Sequence, residues 1–188
     1  MSEIEIHECT SEAVDNALRQ LWLSSIREGS ISILPSEENS NKWVKFVKES
    51  LTRGKSLLLI ARNGSVTVGY ILTNISSDYF FDVSDPFCLI SDLFVLPEFR
   101  RKGIGRRLVL ECLERTKAKG FASVRLNVLP ENKSATKLYK KLDFRTFMYG
   151  MTRNLQLLTS KQSARSRRRK VSENRQMITP ANIERSKS

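Results

Sequence analysis

Apolar and polar side chains alternate with the two-residue period of a β-strand over residues 3–8, at the start of the chain. The period becomes helical over residues 11–28, with Thr10 or Ser11 as the expected N-terminal cap. A second helical pattern covers residues 36–53, with two acidic residues in its first turn and Gly54 after it. The first part of the chain therefore predicts a strand followed by two helices.

A hairpin and a series of alternating elements are predicted for the rest of the chain. Residues 56–61 and 66–73 are strand-like and flank the pair Asn63 and Gly64, a strong hairpin signal. Further elements are expected as a strand over 89–96, a helix over 104–119, a strand over 121–129, a short helix over 134–142 and a closing strand over 144–155. This order predicts an α/β sandwich, α+β in some classifications, within one domain of residues 1–155.

Positive charge is concentrated towards the C-terminal end. The 188 residues carry a formal net charge of +12, and residues 156–188 hold nine Lys or Arg against two Glu. This segment has almost no apolar periodicity, so we expect a flexible basic tail. Such a tail can contact nucleic acid, but a solvated extension is the favoured interpretation, because a basic run carries no base readout of its own.

The remaining composition excludes several classes of protein. The longest apolar run, residues 57–61, is too short to span a bilayer, and the acidic start lacks an apolar secretion segment. We therefore expect a cytoplasmic protein with no membrane partner. Cys9, Cys88 and Cys112 lie far apart, and His7 is the single histidine. This predicts buried thiols and neither a metal site nor a Ser/His triad.

A basic segment with two glycines joins the predicted strand 89–96 to the predicted helix 104–119. Residues 100–107 read Arg-Arg-Lys-Gly-Ile-Gly-Arg-Arg. At a strand-to-helix turn the main-chain N–H groups can face an anion, and glycine lets the main chain approach it. The spacing matches neither the Walker loop nor the dinucleotide fingerprint. The segment therefore predicts a phosphate-binding loop of a different kind.

Two blocks of sequence carry a family resemblance. The first is Arg-x-x-Gly-x-Gly, formed by Arg100, Gly103 and Gly105. The second reads Leu-Asn-Val-Leu-Pro-Glu-Asn over residues 126–132 and Leu-Tyr-Lys-Lys-Leu-Asp-Phe-Arg over residues 138–145. In this order and at this spacing the blocks resemble the acetyl-CoA signature of the GNAT superfamily of N-acetyltransferases.

The resemblance implies a fold and one local departure from it. It implies a mixed, mostly antiparallel sheet of six to seven strands, flanked by about four helices. The sheet is expected to splay apart between the strand before the loop and the strand over residues 122–128, with the pantetheine arm of the cofactor in the gap. Asp143 stands where the family usually has glycine. Aspartate can adopt a positive φ, so we expect the bend to survive.

Acetyl-CoA, as coenzyme A carrying an acetyl group, is the implied co-substrate. Its diphosphate is expected on several main-chain N–H groups at once, since one helix N-terminus contributes only about 0.3–1 kcal/mol to binding an exposed charge. Its pantetheine amides are expected on the strand before the loop. The predicted cofactor-binding residues are Leu93, Phe94, Val95, Arg100, Arg101, Lys102, Gly103, Ile104, Gly105, Arg106, Asn132, Ser134 and Tyr139.

The implied chemistry is direct attack of a primary amine on the thioester. Tyr139 stands where the family has a tyrosine that acts as general acid to the departing thiolate. Many relatives carry Glu where this chain has Ser91 followed by Asp92. Ser91 does not titrate near neutral pH, so Asp92 is the candidate base, directly or through water, with a structural role as the equal alternative. An α-amine acceptor could instead lose its proton to water alone.

The acceptor and the assembly stay open at this level. The acceptor is a small-molecule amine, a protein N-terminus or a lysine, and the sequence does not rank them. Many relatives are dimers, but no heptad or other assembly signal decides whether this chain is a homodimer. Two alternatives to the enzyme are a non-catalytic acyl-CoA-binding regulator and a nucleic-acid-associated protein that acts through the basic tail.

Overall fold

One five-stranded sheet organises the fold, with its strands side by side in chain order. The computed structural model describes residues 3–29, 33–76, 87–153 and 155. The elements are β1 (Ile4–Glu8), α1 (Asn16–Gly29), α2 (Glu37–Thr52), β2 (Ser56–Asn63), β3 (Val66–Ser76), β4 (Phe87–Val95), a short 3-10 helix (Pro97–Phe99), α3 (Ile104–Ala118), β5 (Ser123–Leu126) and α4 (Lys133–Lys140).

The sheet is antiparallel from β1 to β4 and parallel between β4 and β5. The β4–β5 ladder begins at Phe87 with Ser123 and ends at Ile90 with Leu126, although β4 continues to Val95. β5 ends at Leu126, so beyond Ile90 this side of β4 has no partner strand among the described residues, which is consistent with the expected splay.

The helices cover both faces of the sheet. A buried cluster joins α1 and α2 to one face, and α3 contacts β2, β3 and β4. Because successive strand residues point to opposite faces, the apolar runs of β2 and β3 serve both layers. The cluster beneath α1 and α2 includes Leu18, Trp22, Trp43, Val47, Leu58, Ile60, Tyr70, Leu72 and Phe94. Cys9, Cys88 and Cys112 are buried thiols without a disulfide, as expected.

Helix α1 begins later in the chain than the sequence pattern predicts. The sequence pattern placed it at residue 11, but the helix begins at Asn16 because the Asp15 carboxylate accepts a hydrogen bond from the Leu18 N–H at 3.0 Å. The hairpin at Gly64 is confirmed, with φ of 61° at that glycine. No helix in the part of the chain that the structure describes is long and apolar enough to cross a membrane.

The predicted closing strand is wrong. Residues 144–153 and 155 contain no strand or helix, so the described sheet has five strands and not six to seven. Phe147, Met148 and Tyr149 are consecutive large apolar residues followed by Gly150, and all three side chains are mostly exposed. Such a run lacks the alternation that places one side of a strand against a core.

The chain divides into two compact units at Asp143. Every helix and strand described belongs to the unit Met1–Asp143, and the second unit is Phe144–Ser188. The first unit ends before the predicted domain boundary at residue 155, which stays a prediction. The predicted basic tail, residues 156–188, lies outside the described residues.

Candidate active site

Arg100 ties the start of the β4–α3 loop to the body of the protein. Its Nε donates a hydrogen bond of 2.7 Å to the carbonyl oxygen of Val95, and its terminal nitrogen lies 2.6 Å from the Glu28 carboxylate of α1. The guanidinium also lies 5.3 Å from the centre of the Phe94 ring. This side chain is therefore directed at the protein, where it fixes the geometry of the loop.

The loop main chain adopts left-handed conformations at two positions. Arg101 has φ of 64°, and Gly103, the residue before α3, has φ of 81°. Only glycine adopts this region without a steric cost, so Gly103 is required by the turn itself. Successive changes of handedness in a short segment turn neighbouring N–H groups towards one concave side, which suits an anion.

Among the described residues, most N–H groups of the loop have no main-chain acceptor. The first N–H that bonds within α3 is that of Arg107, at 3.0 Å from the Gly103 carbonyl oxygen. Among the described residues, no main-chain carbonyl accepts a hydrogen bond from the N–H groups of residues 101–106. These donors lie at the positive end of the α3 dipole. The loop can therefore accept an anion through several N–H groups at once.

The surrounding residues do not require a glycine at position 105. A Cβ built on this residue lies 3.6 Å from Leu138 Cδ2 and 4.0 Å from Val95 Cγ2, both ordinary contact distances. Its main chain is helical, so no positive φ demands glycine there either. A methyl group at this position would lie against Leu138 of α4 and Val95 of β4, so residue 105 stands where the end of β4, the start of α3 and α4 meet.

The end of β4 offers main-chain groups on its β5 side. Leu93, Phe94 and Val95 pair with β3 on one side. Beyond Ile90, no described strand pairs with the other side. An amide-containing ligand can extend the sheet at this edge by strand-like hydrogen bonds.

Asn132 and Ser134 lie at the start of α4. The Asn132 side-chain oxygen accepts a hydrogen bond of 3.0 Å from the Ala135 N–H, so Asn132 is the cap of this helix. The Ser134 hydroxyl donates to the same oxygen at 3.2 Å. The bend after α4 has φ of 62° at Asp143, which confirms the expected positive φ.

Tyr139 is a buried phenol on α4, with 8% of its surface exposed. Burial raises its pKa to about 12, with a smaller contribution from Cys112 of α3. The hydroxyl is therefore protonated throughout the physiological range. Its neighbour Leu138 contacts the position of a Cβ on Gly105, so α4 lies beside the first turn of α3.

The pairing of β4 with β3 decides which of the two candidate base residues faces α1 and α2. Leu72 of β3 pairs with Asp92 and Thr73 pairs with Ile90, so Ser91 is the extra residue. Asp92 and Phe94 pair with Leu72 and Tyr70, so Asp92 lies on the face of the cluster beneath α1 and α2. Ser91 is exposed, and its hydroxyl donates a hydrogen bond of 3.2 Å to the Leu72 carbonyl oxygen.

Asp92 is half-buried among aromatic side chains. Burial raises the pKa of its carboxyl above the usual value, and the indole N–H of Trp43 opposes that rise. The N–H is nevertheless outside ordinary hydrogen-bond geometry, since Trp43 Nε1 has no hydrogen-bond partner within the described residues. Burial, and next the charge of Asp92, raise the pKa of Tyr70, whose hydroxyl lies 3.5 Å from that of Ser25.

The predicted site residues all lie in the unit Met1–Asp143. The structure brings the loop, the end of β4 and Leu138 of α4 together at Gly105, and it places Asp92 on the opposite face of β4 from its α3-facing residues. The sequence did not indicate two residues that lie close to the candidate site, Glu28 and Trp43. Glu28 gave no signal for its ion pair with Arg100, because the two residues are distant in the chain. Trp43 belonged to a helical apolar stripe that marks core residues in general.

A splayed sheet beside a strand-to-helix loop with unsatisfied N–H groups is the arrangement of an acyl-CoA-binding acyltransferase. Residues 17–144 match the family model described as Acetyltransferase (GNAT) family, and the chain belongs to this family. The family uses acetyl-CoA as its acetyl donor.

Curated relatives match part of the chain. Thialysine N-epsilon-acetyltransferase of Mus musculus is 37% identical over 82 residues, which are 42% of this chain and 45% of that protein. Aminoglycoside N(6')-acetyltransferase type 1 of Salmonella typhimurium is 29% identical over 86 residues, 45% of this chain and 59% of that protein. The chain thus spans about half of the length of these relatives.

Solved structures share the fold. An aminoglycoside N-acetyltransferase, AAC(6')-Iy, solved in complex with CoA, aligns with a TM-score of 0.66 and 20% sequence identity. The alignment covers 82% of this chain and 95% of that chain.

Proposed function

We propose that this protein transfers the acetyl group of acetyl-CoA to a primary amine. The observation that carries the proposal is the row of N–H groups over residues 101–106. Among the described residues, no main-chain carbonyl accepts a hydrogen bond from them. Family membership supports the same conclusion. Because the curated relatives are matched over only about half their length, the activity and the acceptor are proposals for this chain.

The loop and β4 fit coenzyme A. Micromolar affinity corresponds to about 8 kcal/mol, and one charge at a helix N-terminus gains at most about 2 kcal/mol, so several N–H groups must share the diphosphate. Arg101, Lys102 and Arg106 add positive potential around them. The main chain of residues 93–95 binds the pantetheine amides, with Asn132 and Ser134 at the start of α4 on the far side of the gap. Arg100 contributes by holding the loop in place.

The bound cofactor supplies a thioester, whose carbonyl carbon the amine attacks and whose sulfur leaves. Tyr139 is the proposed general acid. Its raised pKa of about 12 keeps a proton on the phenol at every pH at which the enzyme works. The phenol is then a hydrogen-bond donor to the sulfur as negative charge develops there, and it supplies the proton of the thiol.

Asp92 is the proposed base that accepts the amine proton, directly or through a water molecule. A carboxyl whose pKa is raised by burial is a stronger base than one in water. Ser91 is then the bulge residue beside the base, and its hydroxyl donates a hydrogen bond to the Leu72 carbonyl oxygen.

The acceptor we propose is a small-molecule primary amine. The printed names of the relatives, a thialysine acetyltransferase and an aminoglycoside acetyltransferase, support this class. A protein N-terminus or a lysine side chain stays as the alternative.

A thiol-release assay with acetyl-CoA and a panel of amines tests the proposal. The panel contains lysine analogues, aminoglycosides, polyamines and peptides with a defined N-terminus. We expect amine-dependent release of CoA thiol with at least one small-molecule amine, and acetylated product of the expected mass. Binding of acetyl-CoA without release for any amine would replace the enzyme with a non-catalytic acyl-CoA-binding regulator.

A further inference from the structure

Contacts with β4 and α1 hold the side chain of Arg100 against the protein. Its Nε donates a hydrogen bond of 2.7 Å to the Val95 carbonyl oxygen, and its terminal nitrogen lies 2.6 Å from a carboxylate oxygen of Glu28. Val95 and Arg100 lie on either side of the short 3-10 helix, so the first bond links the two ends of that turn. The second bond ties the same turn to the last turn of α1.

The residue after Arg100 adopts a main-chain conformation that L-amino acids disfavour. Arg101 has φ of 64°, although it is not a glycine. A residue keeps such a conformation where the surrounding structure fixes the chain on both sides of it. The start of α3 fixes the chain on one side of Arg101, and the anchored side chain of Arg100 fixes it on the other. Glu28 therefore supplies, from a different element, part of the support for this conformation.

We infer that Glu28 is a positioning residue for the β4–α3 loop. Through Arg100 it holds Arg101 in the left-handed conformation that turns the N–H groups of residues 101–106 to one side. The inference rests on the proposed function, in which these N–H groups bind the diphosphate of coenzyme A. Glu28 acts through Arg100 and needs no contact with the cofactor. An acidic side chain thus favours the binding of a polyanion.

Other roles of the Glu28–Arg100 pair predict a different effect on the Kd for coenzyme A. If the guanidinium of Arg100 bound the diphosphate directly, Glu28 would compete for it, and removal of Glu28 would strengthen binding. Simple electrostatics predicts the same sign, because loss of an acidic residue makes the potential around the loop more positive. A pair that only stabilises the fold would change Tm and leave the Kd unchanged. Weaker binding without Glu28 is therefore specific to the positioning role.

Calorimetric titration of coenzyme A into the wild type and Glu28→Ala tests the inference, with Glu8→Ala as the matched control. The Glu8 carboxylate pairs at 2.7 Å with Arg115, in the last turn of α3. The side chains of that pair are 45% and 34% exposed, against 42% and 41% for Glu28 and Arg100. We expect the Kd to rise about two- to fivefold in Glu28→Ala, the range for one partly exposed ion pair, and to stay unchanged in Glu8→Ala.

Glu28→Gln separates the anchoring contact from the charge. Both Glu28→Gln and Glu28→Ala remove the negative charge, but glutamine keeps an acceptor oxygen for the guanidinium of Arg100. Glu28→Gln should therefore bind coenzyme A more tightly than Glu28→Ala. In the unliganded protein, the Cα and Cβ chemical shifts of Arg101 report its main-chain conformation. They should change in Glu28→Ala and keep their wild-type values in Glu8→Ala.

The outcomes separate this inference from the proposed function. Binding of coenzyme A without acetyl transfer to any amine would end the proposed activity, and the order of the Kd values would still support the inference. Equal or tighter binding by Glu28→Ala, equal weakening in Glu8→Ala, or equal Kd values for Glu28→Gln and Glu28→Ala would overturn it. Weaker binding with unchanged Arg101 shifts would overturn it as well. If the wild type binds no coenzyme A, the inference and the proposed function fail together.

Discussion

Tyr139 carries the proposed acid chemistry, and its burial gives that role a physical basis. A phenol with a pKa of about 12 remains a donor well above the pH at which a simple thiol, of pKa about 8.5, ionises. The same burial is compatible with a tyrosine that only packs between α4 and α3. Removal of the hydroxyl distinguishes the two roles.

Tyr139→Phe is therefore expected to lower kcat by about 10²-fold or more, the usual contribution of a general acid. The Kd for acetyl-CoA should stay close to that of the wild type, because the ring and its packing are kept. Steady-state kinetics with calorimetry of acetyl-CoA checks this. Tyr149→Phe is the control, since Tyr149 has 86% of its surface exposed and should retain full activity. Equal kcat in Tyr139→Phe and the wild type would leave Tyr139 a packing residue.

Asp92 has opposite effects on activity and on stability. Burial raises the pKa of its carboxyl in the folded state, so the fold favours the protonated form. Above that raised pKa the buried charge lowers the free energy of unfolding, and this loss of stability disappears as the pH falls through the pKa. As a base, however, Asp92 works only when ionised, so activity should fall in the same pH range in which the cost disappears.

Asp92→Asn should accordingly lower kcat/KM and abolish the fall of kcat/KM at low pH. It should also raise Tm at neutral pH, because a neutral amide replaces a buried charge. Kinetics across pH and thermal unfolding at pH 7 measure the two effects. Asp143→Asn is the control, since that carboxylate belongs to the bend after α4. Wild-type activity together with a lowered Tm in Asp92→Asn would show that the carboxylate is structural.

At the scale of elements, Arg100 links β4, the loop and α1. Its ion pair with Glu28 is partly exposed, and such pairs contribute about 0.2–1 kcal/mol. Its hydrogen bond to the Val95 carbonyl lies at the end of β4, where the strand has lost its β5 partner.

Arg100→Ala should therefore destabilise the protein more than Glu28→Ala, because it removes both contacts and leaves the Val95 carbonyl without its donor. Urea unfolding of the two single variants and the double variant measures the difference. The coupling between the two residues should be at most about 1 kcal/mol. If Glu28→Ala costs as much as Arg100→Ala, the bond to Val95 contributes nothing to the loop.

Particular residues show what the sequence could and could not predict. Gly64 and Ser36 act locally, so the hairpin and the start of α2 follow from nearest neighbours. The bulge at Ser91 depends on the pairing of β3 with β4, and the Arg100–Glu28 pair depends on tertiary packing. Neither leaves a local signal. The loop could be located in the sequence because its glycines and basic residues lie together over residues 100–107, whereas the buried position of the Trp43 indole N–H exists only in the packed core.

The protein has the fold of the GNAT family and a net positive charge. The family match over residues 17–144 contains the loop, β4 and α4, and so every residue of the proposed chemistry. The formal net charge of +12 favours approach of a polyanionic cofactor. We propose that coenzyme A binds where the end of β4, the start of α3 and α4 meet, next to Gly105.

Calorimetric titration of coenzyme A into the wild type and Gly105→Ala tests that claim most directly. The methyl group enters the space left by Gly105 and meets only ordinary protein contacts, and alanine is the better helix former. Gly120→Ala is the control, because its φ of 86° makes the change a strain far from the loop. We predict micromolar binding by the wild type, affinity weaker by about tenfold or more in Gly105→Ala with no loss of Tm, and a lowered Tm with unchanged affinity in Gly120→Ala. No heat with the wild type, or equal affinity in Gly105→Ala, would contradict the account.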